Sequence, residues 1–203
     1  MAGSIISAAF YQQPVLEVAR NLLGKKLVRY LDGKRISGMI CEVEAYDGEQ
    51  DQACHAHSGK TRRNAVMYGP AGRAYVYFTY GMHWMLNCVC GIEGYPAAVL
   101  IRAIYPLEGL TTIAILRNGI EPRNWCSGPA RLTRALAIEK ECNGADLTTS
   151  QSGLCLEHFQ TIPEEAVEHT PRIGIQYAGE PWVNLPWRFV LSKSFQHSTV
   201  GED

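Results

Sequence analysis

The sequence has no apolar run long enough to span a bilayer, and its opening stretch MAGSIISAAFYQQPV has no basic segment ahead of an apolar core. We therefore expect an intracellular protein with no membrane partner: in the cytoplasm or nucleoid of a bacterium or archaeon, or in the nucleus of a eukaryote. The 203 residues, 46% of them hydrophobic and 19% charged, suffice for one well-packed core. The prediction is a single domain over residues 1–203.

Motifs for nucleotide cofactors and for common nucleophiles are also missing: the sequence has no G-x-x-x-x-G-K-[ST], no G-x-G-x-x-G and no G-x-S-x-G. The seven cysteines are an odd number without a secretory signal, which favours reduced thiols packed as small apolar residues. Cys54, His55 and His57 suggest zinc, but a structural zinc site takes four ligands, usually as two spaced pairs. A hydrogen-bonding or solvated histidine is favoured, and we expect no metal and no cofactor.

A strong excess of positive charge is absent too, because the formal net charge is −1, and this excludes a domain that is basic throughout. Yet residues 58–92 contain no Asp or Glu and carry Lys60, Arg62, Arg63 and Arg73. These four side chains are candidate phosphate contacts, because a locally basic face can bind a nucleic-acid backbone. An ordinary solvated surface is the alternative.

Hydrophobic periodicity predicts an α+β fold. A helix is expected between Pro14 and Gly24, followed by a strand that ends at an Asp32–Gly33 turn and pairs with a second strand over residues 38–46. Further strands are predicted in RAYVYFTY, HWMLNCVC, AAVLIRAIY, RIGIQY and WRFVL. Helices are predicted in LEGLTTIAILRNG and SGPARLTRALAIEK, the second capped by Ser127. The sum is a mainly antiparallel sheet surrounded by helices.

Two glutamates occur in the short strand GMICEVEAY. Alternation places Glu42, Glu44 and Tyr46 on one face of this strand and Cys41 with Val43 on the other. Paired carboxylates beside a phenol suggest a catalytic face, but the pattern does not choose between the two glutamates.

The segment AYVYFTYGMHWMLN predicts a hairpin with Tyr75 and Tyr77 on one face and Tyr80 at the tip. Core packing is the usual role of such aromatic strands. A ring at a hairpin tip is poorly placed for burial by its own sheet, however, and could wedge between stacked bases. Tyr46 or Tyr77 could then stack on a base taken out of the duplex.

Two polar residues interrupt apolar strands. Arg102, in AAVLIRAIY, needs an anion or another acceptor, and Glu44 is a candidate partner. Asn87, between Leu86 and Cys88, either donates to backbone or contacts a ligand.

Four ordered blocks, EVEAYDGEQDQACHAH, YVYFTYGMHWMLN, VLIRAIYPLEG and CSGPARL, resemble the alkyladenine (3-methyladenine) DNA glycosylase family. The resemblance covers about residues 14–189. It implies one mixed domain with a curved, mainly antiparallel sheet, surrounding helices and a protruding β-hairpin that enters the minor groove. It also implies a monofunctional base-excision enzyme whose substrates are alkylated or deaminated purines in double-stranded DNA.

The resemblance further implies that Glu44 is the general base that activates water and that Arg102 helps to hold that water. An alkylated purine is already a good leaving group, so little more is needed than a positioned water and a carboxylate near the sugar. Lys60 lies on a loop and no lysine is placed to attack the sugar, so we expect no strand cleavage. A monomer is expected, because one hairpin reads one flipped base.

For the base itself, the resemblance implies that Tyr46 and Tyr77 stack on it and that His55 contacts its edge. Asn87 corresponds to the asparagine that crowds the extra amino group of guanine, and Tyr80 corresponds to the intercalating tyrosine. Two alternatives stay open: a non-catalytic module that binds distorted duplex or structured RNA, and a metal-dependent hydrolase built on CHAHSG.

Overall fold

The computed structural model describes residues 3–192 and Phe195. Eight strands form one sheet: β1 Lys26–Leu31, β2 Lys34–Asp47, β3 Ala74–Thr79, β4 His83–Cys90, β5 Ala97–Glu108, β6 Leu154–Glu157, β7 Val167–Thr170 and β8 Arg188–Leu191. The described part of the chain has four α-helices: α1 Ala8–Tyr11, α2 Val15–Leu22, α3 Leu110–Leu116 and α4 Pro129–Ala135. Short 3₁₀ turns lie in the connections.

The sheet is antiparallel at every strand pair of the described residues, in the order β3-β4-β5-β2-β1-β6, and β8 pairs with both β2 and β7. The β1–β2 hairpin turns at Asp32 and Gly33, whose φ angles of 49° and 73° lie in the left-handed region that Asp and Gly tolerate. The predicted α+β class and antiparallel sheet are confirmed.

The central strands β2 and β5 carry a paired irregularity. Ile40 pairs with Ile104, Glu42 with Ala103 and Val43 with Ile101, so that Cys41 on β2 and Arg102 on β5 are skipped by the register. Bulges of this kind redirect a side chain locally. Arg102 is therefore not an ordinary strand residue but one displaced from the ladder.

Helix α2 packs on the sheet through Val15, Val18, Ala19 and Leu22, the i, i+3, i+4, i+7 stripe of an amphipathic helix. All seven cysteines are buried free thiols, which confirms their expected role as small core residues. Among the described residues, no helix is long and apolar enough to cross a membrane.

Two expectations for the later part of the chain are wrong, and two short strands were not predicted. RIGIQY is not a strand: Gly174 has a φ of 79°, and the segment runs into a 3₁₀ turn at Gln176–Ala178. The short strands β6 and β7 were not expected. Ser127 does not cap α4, because Gly128 occupies the N-cap with a φ of 133° and makes no side-chain cap.

Candidate functional site

A cavity of about 350 Å³ opens on the sheet beside the β3–β4 hairpin. Its walls come from β2, β3, β4 and β5, from the loop after β2 and from the segment after β7. Residues singled out from four separate stretches of sequence all contribute to this one cavity: Glu44, Tyr46, His55, Tyr77, Tyr80, Asn87 and Arg102.

Glu44 is completely buried, and three donors compensate its carboxylate. Oε1 accepts from the backbone N–H of Ile173 at 2.8 Å and lies 3.2 Å from a terminal nitrogen of Arg102. Oε2 accepts from the Tyr46 hydroxyl at 2.9 Å. A buried carboxylate needs such partners to stay charged, and this set stabilises a negative charge inside the cavity wall.

The second glutamate, Glu42, has a different environment. Its Oε1 accepts from Nε of Arg102 at 2.6 Å and from Nε of Arg188 at 2.7 Å. Of the two carboxylates, Glu44 is among the described residues that line the cavity and Glu42 is not. Because Arg102 contacts both, the prediction that it pairs with Glu44 is confirmed, and Glu42 is an additional partner.

The Tyr46 ring contacts a cation, Arg172, that the sequence patterns did not predict. The Arg172 guanidinium lies 4.8 Å from the centroid of the Tyr46 ring and 5.0 Å from that of Trp187. Burial and the neighbouring Glu44 raise the pKa of Tyr46 well above its usual value, so its hydroxyl remains a donor.

Arg172 is itself fixed by Asp51, in an ion pair whose two side chains are completely buried. One terminal nitrogen donates to Asp51 Oδ1 at 2.9 Å, and the other donates to the carbonyl of Ala45 at 2.9 Å. Asp51 also accepts from the backbone N–H of Ala53 and Asp47. The pair ties the loop after β2 to the segment after β7.

That segment supplies a wall of the cavity that sequence reasoning missed. Ile173, Gly174, Ile175 and Tyr177 line the cavity, and the Tyr177 hydroxyl donates to the carbonyl of Ala53 at 3.0 Å. The alternation of Ile173 and Ile175 is typical of a strand, and Gly174 was the one residue of this segment that indicated a turn.

His55, from the loop after β2, also lines the cavity. Its Nδ1 is 3.0 Å from the hydroxyl of Tyr75, and its ring meets the Tyr77 ring edge-on with centroids 4.4 Å apart. Desolvation lowers the pKa of His55 to about 4, and the charge of Arg63 adds to the effect. The imidazole is therefore neutral at pH 7, and burial keeps Tyr75 protonated by raising its pKa.

Asn87 is buried, and its amide nitrogen donates to the carbonyl of Tyr75 at 3.1 Å while the side chain lines the cavity. Of the two predicted roles for Asn87, donation to backbone is therefore observed, and the side chain is also in position to contact a ligand in the cavity. Tyr75 and Tyr77 share a face, as predicted, with ring centroids 5.2 Å apart.

Tyr80 stands at the hairpin tip with 79% of its surface exposed. Its φ of 51° is unusual for a bulky residue, and Gly81 follows with a φ of 67°. Non-glycine residues in this region are often strained for a functional reason. The ring projects beyond the sheet at the cavity mouth.

The four candidate phosphate contacts have different environments. Arg73 lies 3.4 Å from Asp146, which competes with any phosphate. Arg63 covers the Tyr77 ring at 5.1 Å and donates to the carbonyl of Phe78, and Lys60 lies over the Tyr68 ring at 5.2 Å. Arg62 is exposed. Their contact with phosphate stays a prediction.

The CHAHSG histidines and cysteine do not converge. Cys54 Sγ donates to the carbonyl of Pro96, His55 contacts Tyr75, and His57 Nδ1 lies 2.9 Å from the carbonyl of Glu49. Within the described ranges, no group of three or more His, Cys, Asp or Glu residues could hold a metal ion.

Comparison of the sequence with known proteins finds one matching family and several relatives. The chain matches the sequence model described as "Methylpurine-DNA glycosylase (MPG)" over residues 9–195. It is 47% identical to a protein of Carboxydothermus hydrogenoformans, over 94% of this chain and 96% of the relative. It is 47% identical to one of Methanocella arvoryzae over 91% of each, and 45% identical to one of Chlorobaculum parvum over 96% of this chain and 91% of the relative. All three bear the name "Putative 3-methyladenine DNA glycosylase".

Proposed function

This chain belongs to the methylpurine-DNA glycosylase family, and from that premise we propose that it removes damaged purines from duplex DNA by hydrolysing the N-glycosidic bond. The proposed substrates are 3-methyladenine, 7-methylguanine, 1,N6-ethenoadenine and hypoxanthine, and the proposed product is an abasic site. One observation carries the proposal: the completely buried carboxylate of Glu44 lies in the wall of a cavity lined by tyrosines. The shared name of the relatives supports the same class of reaction.

Glu44 acts as the general base in this proposal. Arg102 and the Ile173 N–H occupy Oε1, and Tyr46 occupies one lone pair of Oε2, which leaves Oε2 with capacity for a water. As the water oxygen bonds to C1′, its proton passes to Glu44. The C1′–N bond breaks and its electron pair leaves with the purine. The charged carboxylate also stabilises the positive charge that develops on the sugar.

The aromatic walls select the base. Tyr46 and Tyr77 are proposed to stack on the flipped purine, and stacking on an electron-poor, cationic ring is worth about 1–3 kcal/mol per base. Arg63 covers the Tyr77 ring and Arg172 the Tyr46 ring, so each stacking tyrosine is already held in place before a ligand enters. The buried amide of Asn87 is proposed to crowd the 2-amino group of guanine.

Neutral lesions need a hydrogen bond at the purine edge, and His55 is the proposed source. Its imidazole is neutral and Tyr75 keeps its phenolic proton. Donation from Tyr75 to Nδ1 would leave the proton on Nε2, where it can donate to a ligand. This assignment makes His55 a hydrogen-bond donor without requiring an imidazolium.

Tyr80 is proposed to fill the gap left by the extruded nucleotide. It is the exposed ring at the hairpin tip, and it lines the same cavity that would receive the base. Unstacking costs a few kcal/mol and costs least at a damaged pair, so insertion of the ring contributes to selectivity.

Hydrolysis without strand cleavage completes the proposal. No lysine of the described residues lines the cavity, so no Schiff base with the sugar is proposed. The scheme uses water and no cofactor, and one subunit holds every named group.

A lesion panel tests the function. Duplexes containing one ethenoadenine, hypoxanthine or 7-methylguanine are incubated with the protein and then treated with alkali, which cleaves abasic sites. The proposal predicts alkali-dependent breaks on at least one lesion, and no breaks before alkali. The absence of breaks on every lesion, with duplex binding retained, would favour the non-catalytic binding module instead.

A further inference from the structure

Arg63 places a positive charge next to one aromatic wall of the cavity. It lies on the loop after β2, and its guanidinium carbon is 5.1 Å from the centroid of the Tyr77 ring. A terminal nitrogen donates to the carbonyl of Phe78 at 3.1 Å. Tyr77 lines the cavity, whereas Arg63 is not among the described residues that line it. The influence of Arg63 on an occupant of the cavity is therefore electrostatic.

The loop that carries Arg63 is fixed by the next residue, Asn64, which is buried. Nδ2 of Asn64 donates to the carbonyls of His55 and Gly59, at 2.9 Å each, and Oδ1 accepts from the backbone N–H of Thr61 at 2.6 Å. These bonds hold the backbone beside Arg63, and the bond to Phe78 holds its guanidinium. The charge therefore has a defined position next to the Tyr77 ring.

The charge of Arg63 is not neutralised by a carboxylate. Two other arginines near the cavity are paired with acids: a terminal nitrogen of Arg102 lies 3.2 Å from Glu44, and Arg172 is paired with Asp51. Within the part of the chain that the structure describes, Arg63 forms no ion pair; its contacts there are with the Tyr77 ring and a backbone carbonyl. Arg63 therefore adds a net positive charge at this wall.

This charge acts on groups in the cavity wall. Desolvation lowers the pKa of His55 to about 4, and the charge of Arg63 contributes to that lowering. A purine stacked on Tyr77 at van der Waals distance, about 3.5–4 Å, would lie within about 9 Å of the Arg63 guanidinium. That distance is below the Debye length of about 10 Å at 0.1 M salt, so screening does not remove the interaction.

Two classes of damaged purine differ in how they respond to such a charge. Alkylation at N3 or N7 makes a purine cationic, whereas hypoxanthine and ethenoadenine are neutral. The face of a tyrosine ring attracts a cation, but a second cation on the same ring is repelled by the first. A neutral purine stacks on Tyr77 without this penalty. Arg63 therefore offsets part of the attraction that an aromatic wall has for a cationic base.

We propose that Arg63 is a specificity-determining residue that lowers the affinity of the cavity for cationic alkylated purines relative to neutral purine lesions. The inference rests on the proposed function, because its ligand is the flipped purine stacked on Tyr77. It also separates Arg63 from its neighbour Arg62 among the candidate phosphate contacts. A contact with phosphate alone affects binding of every duplex alike, whereas a charge beside the stacking ring affects cationic and neutral bases differently.

The test compares two duplexes that differ in the charge of one base. One contains 7-methylguanine and the other 7-deaza-7-methylguanine, a neutral base of the same shape with carbon in place of N7. Both carry a 2′-fluoro sugar, which disfavours positive charge on the sugar and so slows hydrolysis during the measurement. The quantity measured is the ratio of the two dissociation constants, cationic over neutral, and effects of the DNA backbone cancel in this ratio.

Three variants are compared with the wild type. Arg63→Gln removes the charge, and Arg63→Lys keeps a charge on the same loop. Arg62→Gln is the matched control, because it removes an exposed charge one residue away for which no contact with a cavity-lining ring is seen. Arg63 is itself exposed, so its substitution leaves the core intact.

Arg63→Gln is expected to lower the ratio by about 2- to 5-fold, the range of a cation–π contribution at an exposed site. The change should shrink as the salt concentration is raised, because salt screens the charge. Arg63→Lys and Arg62→Gln should keep the ratio of the wild type. A wild-type ratio in Arg63→Gln would overturn the inference, whether binding of both duplexes is weakened equally, as for a phosphate contact, or unchanged. The same fall in Arg63→Lys would also overturn it, by showing that the shape of the side chain matters and its charge does not.

This inference and the proposed function fail separately. Excision of lesions by a protein whose ratio does not depend on Arg63 would remove the specificity role and leave the glycosylase function. A ratio that falls in Arg63→Gln, in a protein that excises no lesion of the panel, would leave the charge discrimination and remove the glycosylase function.

Discussion

Asp51 and Arg172 form an ion pair with both side chains completely buried, although 121 positions separate them in the chain. The pair joins the loop after β2 to the segment after β7, and the guanidinium lies against the Tyr46 ring. The next residue, Ile173, donates its backbone N–H to Glu44. One buried contact therefore fixes both the aromatic wall and a hydrogen bond to the proposed base.

Removing one partner of this pair is expected to be strongly destabilising. Asp51→Asn leaves Arg172 buried without a counter-charge, and losses of about 3–5 kcal/mol are typical of such changes. Urea unfolding measures the free energy of unfolding. The control is Arg123→Ala, which breaks an exposed pair with Glu121 and is expected to cost less than about 1 kcal/mol. Equal losses in the two variants would contradict the structural role of the buried pair.

His55 is expected to titrate far below its ordinary pKa. Desolvation lowers that pKa from 6.5 to about 4, so between these values the unfolded chain binds a proton here that the folded chain does not. This histidine therefore adds stability above pH 6.5, and its contribution is lost as the pH falls toward 4. Imidazole NMR signals follow the titration directly.

A comparison with His55→Gln isolates this contribution from that of the carboxylates. The variant should lose less free energy of unfolding than the wild type when the pH is lowered from 6.5 to 4. Parallel pH profiles, or an imidazole midpoint near 6.5, would show that His55 is fully hydrated and would remove the basis for a neutral donor.

We expect the backbone strain at Tyr80 to lower the free energy of unfolding, while its ring contributes to lesion binding. Its φ of 51° suits glycine better than tyrosine, so Tyr80→Gly should not lower the free energy of unfolding and could raise it by up to about 1 kcal/mol. The same variant should bind lesion-containing duplex more weakly while its affinity for undamaged duplex is nearly unchanged. Equal loss on both duplexes would count against a wedge.

The alternation of apolar and polar residues, together with the turn residues, predicted the elements that depend on local sequence. These elements are strands β1 to β5 and the hairpin tip at Tyr80. The predicted placement of Glu42 and Glu44 on one face of β2 holds because the bulge at Cys41 precedes both residues. The bulge at Arg102 leaves no local trace, yet it lets one guanidinium reach both carboxylates.

Long-range contacts account for what could not be predicted. The alternating isoleucines of RIGIQY predict a strand. The segment instead lines the cavity, because the Asp51–Arg172 pair anchors it and Gly174 adopts a left-handed conformation.

The choice between the two glutamates is the central claim, and single-turnover excision from an ethenoadenine duplex tests it most directly. Glu44→Gln should slow excision by about 100-fold or more, the range of a lost general base, while lesion binding is retained. Glu42→Gln weakens an acceptor of Arg102 and Arg188 but leaves the Glu44 carboxylate in place, so it should be the milder change. Excision by Glu44→Gln at a rate near that of the wild type would contradict the account.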